Sequence, residues 1–249
     1  MIAFLKLIAS GLLGFFLTWL LLPRILKIAG KSKYVIPNYQ NMLVPNSIGV
    51  VFLLLYPLSL YLSRYLGLIN ASADKTHLFI FLLLFVGILG LLDDIWGDGR
   101  HKGFRGHLGA LLRKGELTTG GMKAVFSLLA AMIFSCGIIK GERSITTNIW
   151  QFSFWWAVNV LTVIMVINTI NLFDLRPGRA GKVFLLALIP LYLLADDRFG
   201  FQLCLPMIGI LLYYLPYDLR AKAMLGDAGA NSLGAFLGAL FADMYSTRA

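Results

Sequence analysis

The chain has 12 acidic residues in 249 positions, and several stand where an apolar sequence gains no stability from them. Asp93 and Asp94 close a long apolar run. Carboxylates at a helix C-terminus are opposed by the macrodipole, and two adjacent ones repel each other. They read either as a boundary where water begins or as an acid/base or metal site at the membrane face. A later run ends in Asn168-Thr-Ile-Asn171-Leu-Phe-Asp174. Spacings of three residues align Asn168, Asn171 and Asp174 on one helical face. Such a stripe either hydrogen-bonds a neighbouring helix or offers oxygen ligands to a hard cation such as Mg²⁺, which keeps waters and phosphates in its shell. Arg176, Arg179 and Lys182 follow, interleaved with Gly178 and Gly181. They form an ordinary cationic loop or a phosphate cradle at a helix start. Asp227, within Gly226-Asp-Ala-Gly229, opens the last apolar run as an N-cap or a site residue. All four sets are expected on one face. Carboxylates with Arg and Lys beside a membrane suggest Mg²⁺-assisted handling of phosphate esters.

The elements that must position these residues are apolar. Hydrophobic residues make up 59% of the chain and charged residues 14%, which excludes a disordered chain and argues against a soluble globule. Apolar runs at 2–22, 48–69, 78–92, 122–139, 149–167, 183–195, 199–215 and 228–245 predict an all-α, multi-pass bundle of about eight spans. We expect a single integral-membrane domain over 1–249, in the cell membrane. Alternate loops carry 14 Lys and Arg against four, which predicts loops 93–121 and 168–182 in the cytoplasm and both termini outside. Within loop 93–121, residues 104–114 have the pattern of a short interfacial helix. Trp150, Trp155 and Trp156 mark an aromatic belt. The net charge of +10 suits an anionic membrane. No basic run stands apart from the spans, so nucleic acid is not an expected partner. Cys136 and Cys204 lie inside apolar runs and read as buried thiols.

The order Asp-Asp after a span, then Asn-x-x-Asn-x-x-Asp, then Gly-Asp-x-Gly resembles the polyprenyl-phosphate N-acetylhexosamine-1-phosphate transferases (glycosyltransferase family 4). That family includes phospho-MurNAc-pentapeptide translocase. The likeness runs from about Pro45 to the end, with Pro45-Asn-Ser-Ile-Gly49 resembling a worn Pro-x-x-Gly-Gly. Leu117-Thr-Thr-Gly-Gly-Met-Lys123 is similar to the family's segment before its next span.

The resemblance implies a Mg²⁺-dependent phosphoglycosyl transferase of cell-envelope synthesis, with Mn²⁺ as an alternative ion. A polyprenyl phosphate such as undecaprenyl phosphate attacks a UDP-linked nucleotide-sugar, and UMP leaves. By motif, Asp227 and Asn171 hold the metal, Asp93 and Asp94 serve the lipid phosphate, and Asp174 completes the polar floor. Asn168, Arg176, Arg179, Lys182, Lys123 and Lys102 are the expected substrate-binding residues. Lys102 is the nearest Lys after the Asp pair, although not at the family spacing. Two departures affect the donor. Leu175-Arg-Pro-Gly178 stands where the family has Gly-x-Asp-Gly, so a second acid is missing. The family's His-rich loop would follow the eighth run, past Ala249, and the histidines here are His77, His101 and His107. A non-catalytic carrier, scaffold or transporter subunit that binds prenyl phosphate is the rival reading. A homodimer is left open.

Overall fold

The computed structural model describes residues 2–32, 35–97, 119–142, 148–194 and 199–248. Among them are eight helices and one short ribbon. In chain order they are α1 (Ile2–Ala29), β1 (Val35–Pro37), β2 (Leu43–Pro45), α2 (Val50–Tyr65), α3 (Ala73–Trp96), α4 (Thr119–Glu142), α5 (Ile149–Phe173), α6 (Arg179–Leu194), α7 (Phe199–Leu219) and α8 (Gly226–Arg248). β1 and β2 pair antiparallel, with Ile36 opposite Val44. The expected interfacial helix at 104–114 and Lys102 lie outside the described residues.

The expectation of eight spans is corrected. Five helices are long and apolar enough to cross a membrane: Phe4–Ala29, Ala73–Trp96, Thr119–Lys140, Ile149–Phe173 and Gln202–Leu219. They make the chain a multi-pass membrane protein. α2 and α6 have 16 residues each. At 1.5 Å per residue that is about 24 Å, short of the roughly 30 Å hydrocarbon core. α8 has the length but not the hydropathy, because it is built largely of Gly, Ala, Ser and Asn. The expectation of both termini outside, drawn from the loop charges, fits an even number of spans and is not matched by five.

The composition of α8 follows from its position. Every residue from 228 to 240 is buried. α8 packs chiefly on α5 and α3, with α2, α4 and α6 also against it. Lipid tails are as apolar as leucine, so helices in a membrane associate through close packing, which small residues permit. Gly234 and Gly238 provide this on the α5 side. A Cβ at Gly234 would lie 2.7 Å from the Ile167 Cα, and one at Gly238 2.9 Å from the Val163 Cα. On the α3 side, a Cβ at Gly90 would lie 2.4 Å from the Asp227 carbonyl oxygen. Phe79 and Phe236 seal the interior of this contact, their rings edge-on at 5.9 Å. α1 lies outside this core, packed on α7 and α2.

Candidate active site

The last turn of α3 holds Asp93 and Asp94, and the helix runs on to Trp96 rather than ending at the acids. The close approach at Gly90 sets this turn beside the start of α8. Asp94 accepts hydrogen bonds from the backbone N–H of Asp227 and of Ala228, each at 3.1 Å. The Ser47 hydroxyl also hydrogen-bonds Asp94. Asp94 thus caps α8 from a different helix. A carboxylate at a helix N-terminus satisfies orphan N–H groups and meets the positive end of the dipole. Stability therefore explains Asp94, although its place in the sequence gave no sign of this.

Asp174 arrives from the other side. It ends α5, and its carboxylate takes a hydrogen bond from the Gly226 N–H. Three consecutive N–H groups of α8 are therefore held by acids from α3 and α5. Burial pushes the Asp174 carboxyl up to about 8, with the negative charges of Asp218, Asp227 and Asp94 adding to the rise. The Gly226 hydrogen bond pulls against it.

Lys123, one turn into α4, supplies the positive charge. Its ammonium bonds the Asp227 carboxylate and lies 2.8 Å from Asp93 Oδ2. Thr119 also hydrogen-bonds Asp93. Four helices thus meet in one polar centre: α3 through Asp93 and Asp94, α4 through Lys123, α5 through Asp174 and α8 through Asp227.

The remaining expected residues stand farther out. Asn168 is exposed, and its side chain donates to the Ile164 carbonyl of its own helix at 2.9 Å. Asn171 is half-buried, and its carbonyl accepts the Asp174 N–H. Arg176 is exposed, with its guanidinium 5.6 Å from the centre of the Tyr39 ring. This contact ties the 175–178 loop to the ribbon. Arg179 and Lys182 are exposed in the first turn of α6.

Three contributors were not legible as site residues. Ser47 and Thr119 lie within the Pro45–Gly49 and Leu117–Lys123 stretches, but neither was singled out there as a site residue. Asp218 is 4% exposed in the last turn of α7, and it accepts the Gly178 N–H at 3.0 Å. Gly178 has a φ of +73°, the left-handed region, and is the residue that turns the chain from the 175–178 loop into α6. The available signal was the one that marked Asp93 and Asp94: an acid at the C-terminal end of an apolar helix, against the dipole.

The donor set of carboxylates and an Asn amide suits a hard divalent cation. Among the described residues, no group of three or more His, Cys, Asp or Glu side chains is arranged to hold a metal ion. In this arrangement Lys123 provides the positive charge between Asp93 and Asp227.

A helical membrane bundle with an acid-rich centre at one end of its core helix is the class that fold and site define. Residues 76–244 match glycosyl transferase family 4, and the chain belongs to that family. It is similar to phospho-N-acetylmuramoyl-pentapeptide-transferases from several bacteria. With that of Fervidobacterium nodosum it is 29% identical over 209 residues, covering 80% of this chain and 58% of the relative. With that of Streptococcus mutans it is 25% identical over 252 residues, covering 94% and 71%. With that of Streptococcus agalactiae serotype Ia it is 28% identical over 254 residues, again covering 94% and 71%. The chain therefore spans little more than half to about seven tenths of these relatives.

Proposed function

We propose that this chain transfers a sugar-1-phosphate, or a similar phosphoryl unit, from a nucleotide-sugar to a polyprenyl phosphate at the cytoplasmic membrane face. The observation that carries the reading is the convergence of Asp93, Asp94, Asp174 and Asp227 with Lys123 at the start of α8, in a chain of glycosyl transferase family 4. The cations Arg176, Arg179 and Lys182 beside this end support a cytoplasmic orientation.

In this reading an oxygen of the lipid phosphate attacks the sugar-bearing phosphorus of the donor. The bond to the leaving nucleoside monophosphate breaks as the new phosphoanhydride forms. The protein contributes positioning and charge neutralisation more than covalent chemistry. Lys123 stands beside Asp93 and Asp227 and supplies a mobile positive charge for the phosphate oxygens. Asp93 accepts the proton of the lipid phosphate, so the phosphate attacks in its anionic form. Asp94, held by α8 N–H groups, fixes the distance between α3 and Asp227. Arg176 and Arg179 offer forked donors to a pyrophosphate, and Lys182 offers a point charge. Mg²⁺, held by Asp227 and Asn171, would neutralise the charge that develops on the pyrophosphate.

The second reading is a non-catalytic binder of prenyl phosphate. The Lys123 contacts favour it, because an ammonium already balances Asp227. One assay separates the two. Purified protein is incubated with labelled UDP-sugars, undecaprenyl phosphate and Mg²⁺, and label is followed into organic solvent. Transfer that disappears in Asp227→Asn and Asp93→Asn supports the enzyme. Undecaprenyl phosphate binding with no transfer from any donor supports the binder.

A further inference from the structure

The outer surface of α1 and α7 carries a groove of ≈ 370 Å³ that shares no residue with the acid centre. Its size falls near the low end of small-molecule pockets, roughly 300–1,000 Å³. Phe15, Leu212 and Tyr213 line its length, and Tyr217, Arg220 and Lys222 line its end. The Phe15 and Tyr213 rings meet edge-on at 5.1 Å, and the Tyr213 and Tyr217 rings are 5.9 Å apart. The two phenols hydrogen-bond each other. Phe15, Leu212 and Tyr213 all belong to membrane-crossing segments, so this wall faces acyl chains. Arg220 and Lys222 follow immediately after the last residue of the α7 span, Leu219, and both are exposed. Among the described residues neither has an acidic partner: the ion pairs there use Lys75 and Lys123. The nearest acid in the chain, Asp218, is buried and committed to the Gly178 N–H.

An apolar slot open to lipid, phenols near its polar end and two uncompensated cations beyond them recognise one kind of molecule. It has a hydrocarbon tail and an anionic phosphate. Free phosphate would leave the aromatic wall unused. A zwitterionic head group would bring its own cation against Arg220 and Lys222. We infer that this groove binds an acidic diacyl phospholipid of the surrounding membrane, its phosphate at Arg220 and Lys222 and an acyl chain along Phe15 and Tyr213. The turn that carries these cations is built into the site face. The Ala221 carbonyl, between them, accepts from the Asn38 side chain at 3.2 Å. The Met224 N–H donates to the Pro45 carbonyl at 2.9 Å. Two residues later the turn becomes Gly226-Asp227. A bound lipid therefore braces the segment that presents Asp227, and its binding does not depend on the reaction proposed above.

The test titrates the detergent-solubilised full chain with phosphatidylglycerol and counts bound lipid by native mass spectrometry. Phosphatidylcholine and inorganic phosphate are run as separate arms. The double variant Arg220→Gln with Lys222→Gln should bind phosphatidylglycerol about thirtyfold more weakly, at roughly fivefold per cation near an anionic head group. Arg220→Lys with Lys222→Arg should keep most of the affinity, which separates lost charge from lost folding. Phosphatidylcholine should bind weakly in every form, and millimolar phosphate should not displace phosphatidylglycerol. Equal binding of the two lipids, or phosphatidylglycerol affinity unchanged in the Gln variant, overturns the inference. Displacement by inorganic phosphate overturns the assignment to a lipid.

Discussion

Asp94 and Asp218 each use a carboxylate to hold backbone N–H groups of another segment, and each sits at the end of an apolar helix. Removing the Asp218 acceptor leaves the buried Gly178 N–H without its partner. Asp218→Ala should cost about 1–3 kcal/mol, the usual penalty for an unsatisfied buried donor, and Asp218→Asn should cost less. Chemical denaturation checks this against the exposed control Asp74→Ala. A loss no larger than the control's would show that the Gly178 contact contributes nothing. Asp174 makes a different prediction. Its carboxyl is pushed up to about 8, so the folded state keeps a proton that the unfolded chain releases near pH 4. Its contribution to stability is full below that pH and is lost as pH rises through about 8. The melting temperature should fall between pH 5 and pH 9, and Asp174→Asn should flatten that slope. A variant with the wild-type slope would assign the loss to other groups.

Among the elements, α8 has the least freedom to change. It meets α5 through Gly234 and Gly238, where a side chain would reach the α5 backbone. Gly234→Val must push Ile167 away, and overpacking of this kind costs about 1–3 kcal/mol. It should also separate Asp174 from Gly226, because α5 carries both Ile167 and Asp174. The check is thermal stability together with the binding of prenyl phosphate. Retained affinity alongside lowered stability would show that the helix spacing does not govern the site. At its other end α8 holds an ion pair, Asp243 with Lys75 of α3 at 3.0 Å, the side chains 8% and 14% exposed. Asn159 of α5 donates to Ser246 nearby at 2.7 Å. Asp243→Ala removes this largely buried ion pair and should cost about 3–5 kcal/mol. Adding Lys75→Met should recover much of that loss. If the double variant were no more stable than Asp243→Ala, the lost pairing of Lys75 would not be its cause.

At the scale of the molecule, α3 crosses the membrane with its acids beside the start of α8. Residue 72, before α3, and residue 222, just ahead of α8, therefore lie on opposite sides. Single cysteines at Ser72 and Lys222, in a background lacking Cys136 and Cys204, should react with an impermeant thiol reagent from opposite faces. In the orientation proposed above, residue 222 faces the cytoplasm. Labelling of both from the same face would contradict the crossing of α3.

Apolar composition, helical class, a membrane setting and the order of the motifs were all legible along the chain, because each depends on local residue type and spacing. Asp93, Asp94, Asp174 and Asp227 stood out because an acid at the edge of an apolar run is costly wherever the run ends up. The number of crossing helices was not legible. An apolar run does not say whether lipid or protein surrounds it, and α2, α6 and α8 fall short of a span's length or hydropathy. The partners of the acids were equally hidden. Asp94 lies 133 residues from the N–H of Asp227, and Asp218 lies 40 from that of Gly178. Lys123 is 104 residues from Asp227. Only the close approach of α3 to α8 at Gly90, and of α5 to α8 at Gly234 and Gly238, brings such distant groups within hydrogen-bond reach. Backbone proximity of that kind belongs to the packed bundle and to no single stretch of the chain.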